Sequence, residues 1–98
     1  YIIMSHNQYS DYKQYLKCKD SNFYFNEAKQ LQSNSSTDYE LISKTFYKSI
    51  ILNKNNVDSE YDIRNMISAG QITKQECLTS KTTARAELLQ CYSVTDLK

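Results

Sequence analysis

The sequence predicts an all-α fold, a small antiparallel bundle of four to five helices, from two absences and one recurring pattern. Its 98 residues contain no proline and one glycine, Gly70, where average usage would supply about five and about seven. Hairpins consume glycine for left-handed positions and proline for preset ones, so an all-β sandwich or barrel has little to turn on. The pattern is a series of apolar stripes at helical spacing, several opened by Ser, Thr, Asp or Asn. The length suits one helical domain, residues 1–98, with a thin core.

Helices are expected near 6–19, 23–32, 38–53, 58–69 and 73–92. Ser5-His6-Asn7-Gln8 is a weak capping box for a helix carrying Tyr9, Tyr12 and Leu16. Phe23-Tyr24-Phe25 interrupts that period, and Ala28 and Leu31 resume a helical one. The stretch reads either as one helix to about Gln32 or as two that meet near Asp20-Ser21-Asn22. The break is favoured, because Asp, Ser and Asn compete with the helical backbone for hydrogen bonds. The alternating aromatics also admit a short strand.

Thr37-Asp38-Tyr39-Glu40 is a second capping box and opens the most hydrophobic segment. Its stripe is Tyr39, Ile42, Phe46 and Ile50, widened by Leu41, Tyr47, Ile51 and Leu52, which marks a central helix buried on more than one side. The polar runs at Ser33–Thr37 and Asn53–Asp58 read as loops. Gly70 suits the left-handed residue that closes a helix from Asp58 to Ala69. Thr73-Lys74-Gln75-Glu76 opens the last helix, with Cys77, Ala84, Leu88 and Cys91 on its stripe and Leu78, Leu89 and Tyr92 broadening it. So short a turn predicts an αα-hairpin. The expected core is Tyr12, Leu16, Leu31, Ile42, Phe46, Ile50, Ile63, Met66, Ile67, Ala84, Leu88 and Cys91.

Composition then narrows function. A formal charge of +1 argues against binding nucleic acid through bulk charge; a local patch would draw on Lys13, Lys17, Lys19 and Lys29. The apolar run Ile50-Ile51-Leu52 is far short of the ~18–20 residues that span a bilayer. One glycine excludes a glycine-rich phosphate cradle. His6, the sole histidine, seeds neither a zinc site nor a Ser/His/Asp or Cys/His mechanism. The carboxylates fall mostly where helices start, at Asp38, Glu40, Asp58, Glu60 and Asp62. No cofactor or metal is implied, and the chain does not read as an enzyme.

Cys18, Cys77 and Cys91 form no CxxC pair. Cys77 and Cys91 share one predicted helix and would stand about 21 Å apart on it, so a disulfide needs Cys18. Cys77 and Cys91 are both open to it, with Cys18–Cys91 the candidate pair, and three reduced core thiols are the alternative. A bridge would place the chain in an exported, periplasmic or secreted setting. Nine tyrosines against no tryptophan suit half-buried faces and interfaces. Tyr9, Tyr12, Tyr15 and Tyr24, with the loops at Ser33–Thr37 and Asn53–Asp58, make the expected partner-binding face. The resulting expectation is a non-catalytic module that binds one specific protein, as an inhibitor, immunity-type protein or adaptor. A nucleic-acid binder and a structural subunit of a larger assembly are the alternatives. Asn34-Ser35-Ser36 matches the acceptor triplet for N-glycosylation, a match that chance alone often produces.

Overall fold

The computed structural model describes residues 18–94 and residue 97. Four helices occupy them: α1 Ser21–Ser33, α2 Tyr39–Leu52, α3 Val57–Ser68 and α4 Lys74–Leu88. The expected helix over 6–19 falls largely outside the described residues, and Cys18, Lys19 and Asp20 are not helical. The break near Asp20 is present: its carboxylate caps α1 by accepting from the Phe23 N–H at 2.8 Å. Phe23-Tyr24-Phe25 is helical, not a strand.

Two of the other helix starts depart from expectation. At α2 the cap is Asp38, not Thr37, and it accepts from the Leu41 N–H at 3.1 Å. A carboxylate is the stronger acceptor for an N-terminal amide than a neighbouring hydroxyl. Asn56 caps α3 through the Ser59 N–H, so that helix starts at Val57. Thr73 and Glu76 close the expected capping box on α4, at 3.1 and 2.9 Å. Gly70 takes the left-handed conformation, φ +73°, while the Gln71 N–H reaches back to the Met66 carbonyl at 3.0 Å. The α1 end is built the same way with a serine in the left-handed place, Ser35 at φ 57°; there the Ser36 N–H donates to the Leu31 carbonyl at 3.1 Å.

The last helix stops at Leu88, short of the expected 92. Beyond it the N–H groups of Cys91 and Tyr92 both donate to the Leu88 carbonyl, at 3.1 and 2.8 Å. That tight turn brings Cys91 to Cys18, and the two form a disulfide with Cα atoms 6.2 Å apart. Cys77 is free and buried.

α2 is central, and α1, α3 and α4 each pack against it. α1 and α3 run antiparallel to it: Ser21 meets Ser49 at one end, while Ala28, Ile63 and Met66 meet Ile42 and Phe46 further along. α4 runs in the same sense as α2, with Cys77 near Ser43 and Glu87 near Lys48. In a square up-and-down bundle such a pair would sit on the diagonal. Here it is in close contact, because the facing residues Ser43, Cys77, Ser80 and Ala84 are small and buried and let the axes approach. The consequence corrects the expected hairpin. α3 and α4 share a tight turn, yet each packs on α2 and they touch each other little.

Of the expected core, Ile42, Phe46, Ile63, Met66, Ala84, Leu88 and Cys91 are buried. Leu31, Ile50 and Ile67 are partly buried against it, and Tyr12 and Leu16 lie outside the described residues. Tyr24, Ala28, Ile51, Ile72, Cys77 and Leu97 complete it.

Candidate functional site

Because α3 and α4 diverge over α2, a groove of about 360 Å³ opens between them, lined by Tyr47, Ile67, Lys74, Cys77, Leu78 and Lys81. Ile67 comes from the outer flank of α3 and Tyr47 from α2 beneath. Lys74, Leu78 and Lys81 fall four and three residues apart on α4, so they stand in one row along its outer face. Leu78, expected to widen a buried stripe, is 58% exposed. The described ion pairs are Lys29–Asp62, Lys44–Glu87, Lys48–Glu87 and Arg64–Glu60. Neither groove lysine takes part in any of these. Seven residues of helix separate them, which is about 10 Å.

Besides the two lysines, Tyr47 and Cys77 are the ionisable groups that line the groove. Burial, then the Cys77 thiol and the Glu60 carboxylate, push Tyr47 up to about 12. Cys77 is buried, with the Ser43 hydroxyl 4.0 Å from its sulfur. A nucleophilic cysteine works as an accessible thiolate beside a base, whereas this thiol lies buried among hydroxyls. Among the described residues no group of three His, Cys, Asp or Glu side chains is placed to hold a metal ion. No helix there is long and apolar enough to cross a membrane.

The expected partner face is dispersed. Tyr9, Tyr12 and Tyr15 lie outside the described residues. Tyr24 is a core residue, 5% exposed; its hydroxyl accepts from the Lys19 N–H at 3.0 Å and its ring carries the Lys48 ammonium at 5.3 Å. The expected loops at Ser33–Thr37 and Asn53–Asp58, in which Ser33, Val57 and Asp58 are in fact helical, sit at opposite ends of α2, whose 14 residues span about 20 Å. The first loop, with Gln32, Tyr39, Met66 and Gln71, rims a second, polar depression of about 330 Å³. Of the four lysines of the basic-patch alternative, Lys29 pairs with Asp62 at 3.2 Å, Lys19 sits 5.7 Å from the Phe23 ring centre, and Lys13 and Lys17 are outside the described residues.

The groove was not legible in advance. Leu78 reads as part of a buried stripe unless the divergence of α3 from α4 is known, and the only hint was how small the α4 stripe residues are. Comparison with known protein families, curated proteins and solved structures finds no match to this chain.

Proposed function

We propose that this chain is a non-catalytic helical module that binds one protein partner, in the manner of an inhibitor or immunity-type protein, through the groove between α3 and α4. The supporting observation is Leu78, an exposed leucine between two lysines that no described carboxylate neutralises. The complementary occupant is an acidic segment of the partner protein, with an apolar side chain seated beside Leu78 and Ile67 and carboxylates facing Lys74 and Lys81. Apolar contact would supply residence time and the lysines would set register and on-rate.

A photo-crosslinking residue at position 78 tests this in cells of the source, with the same residue at the exposed Val94 as control. One dominant protein adduct is expected at 78 and none at 94, and it should vanish when Lys74 and Lys81 are both changed to Glu. No adduct at 78, or one indifferent to the double charge reversal, refutes the reading. An adduct with nucleic acid that weakens steeply with salt supports the basic-patch alternative instead.

A further inference from the structure

We infer that Asn34 is an N-glycosylation site. This inference is independent of the groove and its partner. Asn34-Ser35-Ser36 has the required residue types, but a triplet alone is weak, and two structural observations strengthen it. The first is location. Asn34 follows the last residue of α1 and is exposed. The turn is secured by main-chain bonds from the Asn34 N–H to the Gln30 carbonyl at 3.0 Å and from the Ser36 N–H to the Leu31 carbonyl at 3.1 Å, and by the Ser36 hydroxyl, which accepts from the Asp38 N–H at 3.3 Å. Among the described residues the Asn34 side chain makes no hydrogen bond, so a sugar on its amide disrupts nothing that holds the turn. A depression lined by Gln32, Ser35, Ser36, Tyr39 and Gln71, with Ile42 and Met66, adjoins the same turn, and its mainly polar lining suits a first sugar ring.

The second observation is the Cys18–Cys91 disulfide. Disulfides of this structural kind form in oxidising, secretory-type compartments, where transfer of oligosaccharide to asparagine also takes place in eukaryotic cells. In the folded turn Ser35 is left-handed at φ 57°, so transfer belongs to the chain before α1 and α2 close on each other. The donor is an oligosaccharide joined to a lipid pyrophosphate. The Asn34 amide nitrogen forms a bond to the first carbon of the sugar, the bond from that carbon to the pyrophosphate oxygen breaks, and the amide gives up one proton as the lipid pyrophosphate leaves. Folding then leaves the added bulk in solvent, the surface position such a modification requires.

The test is expression of the full chain through the secretory pathway of a eukaryotic cell, followed by intact-mass measurement before and after peptide-N-glycosidase. The expected result is one oligosaccharide per chain, released with conversion of Asn34 to Asp. It should be lost completely in Asn34→Gln and in Ser36→Ala and kept in Ser36→Thr, which preserves the hydroxyl. Secreted chain with its disulfide formed and no carbohydrate overturns the inference, as does carbohydrate that survives Asn34→Gln.

Discussion

Around the first half of α2, Ile42 and Phe46 meet Ala28, Ile63, Met66, Ile72 and Cys77; around its last turn, Ile51 meets Tyr24, Ala84, Leu88 and Leu97. The first region is held by side-chain packing from all four helices and the α3–α4 turn. The second is smaller and is tied. The Cys18–Cys91 disulfide crosses it, and the Lys19 peptide is gripped on both sides, by the Tyr24 hydroxyl at its N–H and by the Tyr92 hydroxyl at its carbonyl, 2.7 Å away. Ser21 reaches the Ser49 carbonyl at 2.8 Å and Asn56 donates to the Ser49 hydroxyl. Lys44 and Lys48 converge on Glu87, at 2.9 and 2.6 Å. A chain this short cannot fill both ends with apolar bulk, and the end short of bulk is the one with the crosslinks.

The sharpest way to break this contrast is Phe46→Ala. Phe46 is fully buried at the packed end, and its loss should cost about 3–5 kcal/mol, read as a lower denaturation midpoint. Replacing Cys18 and Cys91 by Ser attacks the tied end. The bridge joins residues 73 positions apart and contributes about 4 kcal/mol in the chain-entropy model. Hydrogen exchange of the double variant should speed first in α1 and late α4, with the Ile42–Phe46 region last. Equal acceleration everywhere would show that the two ends do not differ.

Ser59→Ala should act in the opposite direction. The Ser59 hydroxyl is buried with no hydrogen-bond partner among the described residues, so its removal should raise stability by about 1 kcal/mol, visible as a higher melting temperature.

Titration gives the smallest effects, from Glu87 at the tied end and from Tyr47, which packs against both regions. Burial pushes the Glu87 carboxyl up, but hydrogen bonds and charge from Lys48 and Lys44 outweigh it and hold the group below the usual carboxylate range. Its contribution is present above the unfolded value of about 4.3 and is lost as pH falls through the lower folded one. Glu87→Gln should flatten the acid limb of the stability curve. Tyr47, pushed up to about 12, works the other way. Its neutral form favours the fold fully below about pH 10, and that contribution fades as pH rises towards 12. Tyr47→Phe should flatten the alkaline limb and leave the acid limb unchanged.

The packed end was the legible one. Ile42, Phe46, Ile63 and Met66 announce themselves by helical spacing, and Gly70 and the Thr73 box mark the turn beneath them, because these signals are local. The tied end depends on contacts distant in sequence. Lys44 and Lys48 follow Glu40 at four-residue spacing, which suits ion pairs along one exposed helix face, yet they pair across to Glu87 on α4. Tyr24 reads as interface, yet its ring is core and its hydroxyl is spent on the Lys19 peptide. Helix spacing excludes only a Cys77–Cys91 bridge and leaves Cys18 free to pair with either; the choice of Cys91 depends on its position just past the end of α4, which helical spacing does not show. The groove was hidden for a related reason: the buried serines of α2 and α4 look polar in sequence and so give no warning that these two helices approach closely enough to leave α3 aside.

The disulfide also decides how the molecule responds to force. A load applied at the two ends of the chain enters the ring at Cys18 and leaves at Cys91, whose Cα atoms are 6.2 Å apart, so the covalent bond carries it and none of α1 to α4 is pulled open. The ring hides 73 steps of chain, about 250 Å if drawn out straight. In an optical trap that length should stay hidden under oxidising conditions and appear only after a thiol reductant has opened the link.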